Sequence, residues 1–405
     1  MDRFADLSQQ CFFEVHQSIV THWAAVPPTR SAREIAFDIL LEVERGAFAA
    51  DLLAHETKPL ETRDAGLAAA ITLGVLRRWL SLDFLIRHYS QRDPDRVDLE
   101  VRMALSMGLY QMRWMDRVPN HAAVSESVDL VKRAGLRSAA GFTNAILRKA
   151  GREEVAWPNA SVELSMPPWL LERWTRNFGA EPARAMALAA LETPTTYIRV
   201  PPGQQSPEGA EPTAIAGCYQ TVDTGGFRVQ DIGSQSIVPL LALEPGMTFL
   251  DLCAAPGNKT AQALEAGAKT IACDLRMRRL QPLQRLGIPL VALDSTRPLP
   301  FGVQFDRILL DAPCSGTGTL AHNPEIKWRL EPAELEVYHG TQVALLRRAL
   351  TVLKPGGRLV YSTCSLEPEE NQDVLSEVCP GRVQARAERL PGRDPGDGFE
   401  AAVIF

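Results

Sequence analysis

Two cysteines of this chain stand in loops where packing has no need of cysteine. Asp311-Ala-Pro313-Cys314-Ser-Gly316-Thr-Gly318 follows the apolar run Ile308-Leu309-Leu310, and Tyr361-Ser-Thr363-Cys364-Ser365 follows Leu359-Val360. A buried cysteine commonly serves as a small hydrophobe, which suits Cys273 inside an apolar strand. Cys314 and Cys364 lie instead among Ser, Thr and Gly, where a thiol is expected to be partly exposed and able to ionise. Such a pair suits chemistry on an electron-poor ring. Carbon 5 of cytosine does not attack a methyl donor unaided. A thiolate added to carbon 6 breaks the conjugation and makes carbon 5 enamine-like. A base then removes the carbon 5 proton and the thiol departs by β-elimination, so the group must be both a strong nucleophile and a good leaving group. Asp311 is placed to contact N3 and the exocyclic amine and to hold charge on the ring. Methylation of an exocyclic amine would need no thiol, and typically places an aromatic where Cys314 follows Pro313. The residues alone do not rank the two thiols.

A third loop offers a ligand site. Asp251-Leu-Cys253-Ala254-Ala255-Pro256-Gly257-Asn258-Lys259-Thr260 follows Phe249-Leu250. Small residues and one glycine let backbone approach a ligand, and the helix that follows presents unpaired N–H groups. The spacing matches neither a P-loop nor GxGxxG, so a nucleoside without a polyphosphate fits better. Asp274 ends the next strand, where a carboxylate can accept both ribose hydroxyls. Asp294 ends the third, placed to meet an adenine amino group. Singly, each Asp is equally an ordinary helix cap; three at successive strand ends point to S-adenosylmethionine.

These loops need a sheet to carry them. From residue 231 the pattern alternates: strands at Met247–Leu252, Lys269–Cys273, Pro289–Leu293, Phe305–Leu310 and Arg358–Ser362 alternate with helices at Asn258–Ala266, Met277–Leu286 and Glu334–Leu353. That order predicts a largely parallel α/β sheet covered on both faces, with ligands beyond the carboxyl ends of its strands. Residues 31–150 read as six short-linked amphipathic helices, the first capped by Ser31 or Thr29, which make a helical bundle. Residues 151–230 combine two helical stretches with the β-rich run Thr195–Val200 and a Pro/Gly loop, and read as a small connecting subdomain. Residues 1–30 are an extension without assigned role.

The chain has 405 residues, 45% hydrophobic and 23% charged, which excludes a mainly disordered or fibrous protein. No apolar run reaches the roughly 18 residues of a membrane span; the longest, Ala65 to Leu76, runs into Arg77 and Arg78. Seven cysteines without a CxxC pair argue against a disulfide framework and a zinc site, so a reducing, cytoplasmic location is expected. The net charge of −6 is uneven: residues 31–150 carry 17 basic and 16 acidic side chains, residues 151–405 carry 24 and 30. Between Val131 and Arg152 there are six basic residues and no acid. This stretch is either a solvated helix face or a local nucleic-acid surface.

Together the motifs resemble the Nop/Sun family of RNA cytosine-5 methyltransferases, and the helical part resembles the antitermination factor NusB. The resemblance runs from about residue 31 to the C-terminus. It includes Phe142-Thr-Asn144-Ala-Ile-Leu147-Arg148, Val229-Gln230-Asp231, the three loops, Asn323-Pro324-Glu325-Ile326-Lys327-Trp328 and Pro368-Glu-Glu-Asn371. It implies an all-α NusB-like bundle, a small α+β connecting subdomain and a Rossmann-like class I methyltransferase domain. It implies further that Cys364 is the nucleophile and that Cys314 assists release. Cys253, Ala254, Ala255, Pro256, Gly257, Asn258 and Lys259 would line S-adenosylmethionine, with Asp274 on the ribose, Asp294 near the adenine and Asp311 between cofactor and base. Lys132, Arg133, Arg137, Arg148, Lys149 and Lys327 are the expected RNA contacts, and the expected partner is 16S ribosomal RNA, met by a monomer without metal. The chain departs from the family at Ala321-His322, where arginine is usual, in the short Pro201–Gly226 segment, and in an acid within Asp397-Gly398-Phe399-Glu400 where an aromatic or apolar residue is common. The same chemistry on transfer RNA, or a non-catalytic RNA-binding assembly factor, are the alternatives.

Overall fold

The computed structural model describes residues 30–405; Thr29 and the rest of the N-terminal extension lie outside them. Seven helices fill residues 32–150: α1 (Ala32–Glu44), α2 (Ala49–Glu56), α3 (Thr62–Arg77), α4 (Trp79–Ser90), α5 (Leu99–Trp114), α6 (Asn120–Arg133) and α7 (Ala140–Ala150). Ser31 starts α1 through a reciprocal capping box with Glu34, which satisfies two otherwise orphaned donors. Ile35, Ile39, Leu40 and Val43 then form the buried stripe. The α5 helix is buried at the centre. Gly108 lets α5 approach its neighbours: a Cβ there would stand 2.7 Å from Ser127 Oγ and 2.8 Å from a Leu147 methyl. The sequence pattern missed α2, because Ala49 is its one buried residue and leaves no periodic stripe.

A small subdomain follows. Helices α8 (Ala160–Glu163), α9 (Pro168–Phe178) and α10 (Ala180–Ala189) precede a four-stranded antiparallel sheet of β1 (Tyr197–Arg199), β2 (Glu211–Pro212), β3 (Cys218–Gln220) and β4 (Arg228–Val229), in the order β2-β3-β1-β4.

The remainder is a seven-stranded sheet with helices. In chain order it comprises α11 (Ile232–Ile237), β5 (Thr248–Asp251), α12 (Asn258–Leu264), β6 (Lys269–Asp274), α13 (Met277–Leu280), β7 (Leu290–Ala292), β8 (Phe305–Asp311), α14 (Ile326–Arg329), α15 (Glu334–Thr351), β9 (Leu353–Thr363), α16 (Gln372–Val378), β10 (Val383–Arg389) and β11 (Phe399–Ile404). The order across the sheet is β10-β11-β9-β8-β5-β6-β7. Strands β5 to β9 pair in parallel, whereas β11 is antiparallel to both β9 and β10. The strand order reverses between β5 and β8, and a crevice at such a switch point is where open α/β sheets bind ligands. The closing β10–β11 pair escaped the sequence reading, since β10 is largely exposed and lacks a hydrophobic pattern. The helix expected over Met277–Leu286 is α-helical for its first four residues and 3-10 from Gln281, where Pro282 withholds a backbone donor.

The segment from Ala321 to Arg329 joins the helical domain to the sheet. Arg77, at the end of α3, donates from Nε and Nη2 to the Ala321 carbonyl at 2.9 and 2.7 Å. Trp328 Nε1 donates to Leu76 O at 2.7 Å, and Arg329 Nη2 donates to Val43 O and Ala47 O at 2.6 Å. The Leu76 carbonyl, in the last turn of α3, thereby finds its donor in the other domain.

Candidate active site

Loop Asp251–Thr260 leaves the top of β5 beside β6 and β8. Leu252 N–H donates to Leu309 O and Ala254 N–H to Cys273 O, so the loop is clamped between the two neighbouring strands. Gly257 caps α12 with φ +103°, a left-handed conformation open to glycine, and a Cβ there would meet Leu283 Cγ at 2.6 Å. Asp251 is buried and accepts from Thr260 Oγ1 at 2.7 Å, while its other oxygen has no partner. Burial pushes its carboxyl up to about 7. Burial, followed by the charges of Asp251, Asp311 and Asp274, drives the Cys253 thiol well above its ordinary range. Three carboxylates from three strand ends thus converge on this loop.

Asp274 ends β6, buried, with Arg279 Nη1 at 3.5 Å. Asp294 falls two residues past β7, and its carboxylate accepts from Thr296 N, Thr296 Oγ1 and Arg297 Nε. Those bonds hold it below the usual carboxylate range. These bonds form a local turn-capping arrangement, the ordinary cap that the sequence offered for this aspartate beside an adenine contact.

Asp311 closes β8. Lys259 Nζ donates to its Oδ2 at 2.6 Å and Ser362 Oγ to its Oδ1 at 2.8 Å, which fixes the carboxylate plane between β5's loop and β9. Lys259 also lies 5.0 Å over the Phe399 ring. Beyond Asp311, the parallel β8–β9 register sets Asp311 opposite Ser362, and the loops that continue those strands bring Cys314 Sγ to 3.3 Å from Cys364 Sγ. Both cysteines are half-buried and free. The hydrogen bond to Cys364, then burial, pushes the Cys314 thiol well above its ordinary range. The contact with Cys364 and burial thus favour the protonated form of Cys314, where the sequence led to an expectation of two thiols able to ionise.

The basic residues divide. Arg137 and Arg148 are exposed. Lys132 pairs with Asp129 at 2.8 Å, and Arg133 with Asp38 at 2.9 Å and Glu34 at 3.4 Å, so part of this charge is already compensated. Lys132, Asn144, Arg148 and Arg152 line a groove beside α6 and α7. Lys327, expected on RNA, is 1% exposed. Its Nζ donates to Arg77 O at 2.9 Å and Ser165 O at 2.7 Å. An ammonium so enclosed cannot reach a phosphate. Its role is to plug the interface, and burial depresses its pKa well below the usual lysine value.

The sequence reading did not single out several residues that build the site: Ser362 on Asp311, Phe399 on Lys259, and Ser315, Ser365 and Glu370 behind the cysteines. Their one signal was position, within two residues of a cysteine, inside the Pro368–Asn371 motif or inside Asp397–Glu400. Of the two departures near the turn, His322 finds a partner in Asp397, Nδ1 to Oδ1 at 2.9 Å. Among the described residues no helix is long and apolar enough to cross a membrane, and no cluster of metal-ligating side chains occurs.

A class follows from the strand order, the glycine cradle and the converging carboxylates: an S-adenosylmethionine-dependent methyltransferase domain behind a NusB-like helical domain. Residues 238–398 match the model of the 16S rRNA methyltransferase RsmB/F family, and residues 30–152 that of the NusB family. A probable ribosomal RNA small subunit methyltransferase B of Synechocystis is 32% identical, with 90% of this chain and 92% of that protein aligned. The ribosomal RNA small subunit methyltransferase B of Erwinia tasmaniensis is 31% identical over 89% of this chain and 95% of that protein. The solved structure of PH0851 superposes with a TM-score of 0.76 at 22% identity, covering 93% of this chain and 98% of its own. A methyltransferase homologue from Pyrococcus horikoshii gives 0.51 at 26% identity, covering 60% and 96%. The chain belongs to the RsmB/F family of methyltransferases.

Proposed function

We propose that this protein transfers a methyl group to carbon 5 of a cytosine in small-subunit ribosomal RNA, through a covalent bond between Cys364 and carbon 6. The observation that carries the reading is the 3.3 Å approach of Cys314 and Cys364 beside Asp311 and the cofactor loop. An enzyme methylating an amine would have no use for two thiols there.

Bound S-adenosylmethionine supplies an electrophilic methyl group. Residues 253–259 and Asp274 would hold it: Gly257, left-handed and packed on Leu283, shapes the turn into α12, and the buried Asp251 oxygen without a partner keeps a polar acceptor in the loop. The Cys314 thiol stands 3.3 Å from the Cys364 sulfur, where it would stabilise the negative charge that returns to Cys364 on release. Cys364, its proton given up to solvent, bonds as thiolate to carbon 6, and the ring electrons move to carbon 5. Asp311, oriented by Lys259 and Ser362, meets the N3 and amine edge and holds the charge that develops. Once carbon 5 carries the methyl group, a base takes its proton, the S–C6 bond breaks, and Cys364 leaves as thiolate with Cys314 beside it. The target base must be turned out of its stack or lie in a loop, since both ring carbons must be open. Arg137, Arg148, Lys149 and Lys132 would grip the RNA backbone, with Arg133 contributing less because two acids already hold it.

The test is transfer of a labelled methyl group to unmodified small-subunit RNA, followed by nucleoside analysis. 5-Methylcytidine is expected. Label appearing in transfer RNA instead, or none appearing although cofactor binds, would overturn the substrate or the activity respectively.

A further inference from the structure

The two cysteines come from different strands, and each is followed by a serine. Ser315 Oγ and Ser365 Oγ both donate to the same oxygen, Glu370 Oε2. Ser315 N–H donates to Oε1 at 2.8 Å, and Gln342 Nε2 to the same atom at 3.1 Å. The two serine hydroxyls are 3.1 Å apart. Glu370 is 0% exposed, and no lysine, arginine or histidine among the described residues hydrogen-bonds its carboxylate. Burial pushes its pKa up, while the serine and glutamine donors oppose that. A carboxyl buried without a cation is costly unless its acceptor positions are filled. Here four donors fill them, and three come from the residues that follow the two cysteines.

Glu370 is itself held. Tyr361 Oη donates to its carbonyl at 2.6 Å, and Asn371 Nδ2 donates to Ser365 O at 2.9 Å and Glu367 O at 3.1 Å. Glu367, buried, accepts from Trp174 Nε1 at 3.0 Å and from Arg173, both on α9. Gln342, on α15, also donates to Pro313 O at 2.9 Å. The chain of contacts runs from the connecting subdomain through Glu367 and Glu370 to both thiol loops.

We propose that Glu370 is a positioning residue that sets the distance between Cys314 and Cys364, and thereby the partition between the covalent adduct and released product. The inference rests on the thiol-adduct reading above. Addition at carbon 6 requires Cys364 alone, whereas release with Cys314 assisting requires the two sulfurs in register. Untethering the loops therefore slows release more than capture. Glutamine at 370 can keep its carbonyl on Ser315 N–H and donate to the two hydroxyls, which rotate to accept; alanine cannot.

The experiment measures single-turnover adduct on denaturing gels, with steady-state kcat and KM, for Glu370→Ala, Glu370→Gln, Ser315→Ala, Ser365→Ala and Cys314→Ala. For Glu370→Ala the expectation is a fall in kcat on the order of 100-fold with the KM for RNA little changed. Trapped adduct should rise toward the Cys314→Ala level, and Glu370→Gln should recover most of the activity. The single serine variants lie between and serve if Glu370→Ala does not fold. Adduct in Cys314→Ala together with an unaltered partition in every Glu370 and serine variant would overturn the positioning role and leave the adduct reading standing. No adduct in Cys314→Ala, with turnover retained by Cys364→Ala, would overturn the adduct reading and the positioning role with it.

Discussion

Cys314 Sγ and Cys364 Sγ are 3.3 Å apart although fifty residues separate them in the chain. The closeness comes from the parallel pairing of β8 with β9, which sets Asp311 opposite Ser362 and aligns the loops beyond. Two sulfurs at that distance share one proton more readily than they lose two, and Cys314 is the one whose pKa is driven up.

Replacing Cys364 by alanine should abolish methyl transfer while leaving cofactor affinity unchanged, because the cofactor loop makes no hydrogen bond to Cys364. Equilibrium binding of S-adenosylmethionine alongside methyl transfer checks this, and retained turnover would sink the nucleophile assignment.

Replacing Cys314 by alanine removes the thiol that stands against the leaving sulfur. A protein–RNA adduct that survives denaturation should accumulate, with the first turnover faster than later ones. A gel that shows free protein at all times counts against the release role.

Gly257→Ala introduces a Cβ at a left-handed position and against Leu283. Left-handed strain of about 1–2 kcal/mol, with the displacement of Leu283 added, should weaken cofactor binding about tenfold or more. Calorimetric titration with S-adenosylmethionine reads it, and an unchanged affinity would remove the loop from the cofactor site.

Lys327→Ala leaves the carbonyls of Arg77 and Ser165 buried without their donor. A loss of about 2–4 kcal/mol is expected, seen as a lower thermal midpoint. The salt dependence of RNA binding should keep its slope, whereas Arg148→Ala should flatten it by about one ion. A flattened slope for Lys327→Ala would restore the RNA contact that its burial excludes.

His322 faces Asp397 at 2.9 Å, with Asp231 and Arg77 also acting on it. Burial works against the charged ring, but the hydrogen bond to Asp397 and the two acids outweigh it, so its pKa is raised above the ordinary histidine value. A group raised on folding stabilises fully below its unfolded pKa, and the contribution fades as pH rises through the folded value. His322→Ala should therefore destabilise the protein more at about pH 6 than at about pH 9. Equal losses at both would show the pair to be uncharged throughout.

Much of this molecule follows from local pattern. The three strand-end loops, the helical character of residues 31–150 and the cofactor were legible because turn chemistry, caps and hydrophobic period act among near neighbours: Ser31 with Glu34, Gly257 ahead of α12. Tertiary structure decided what depends on distant partners. Lys327 meets carbonyls 162 and 250 residues away, and a basic residue in a one-turn helix carries no mark of being enclosed. Strand β11 enters the sheet antiparallel between β9 and β10, a placement no run of its own residues specifies. The upward push on the Cys314 thiol and the hydrogen bonds to Glu370 likewise arise only once the strands pair, because desolvation and hydrogen bonding are set by what surrounds a group in space rather than along the chain.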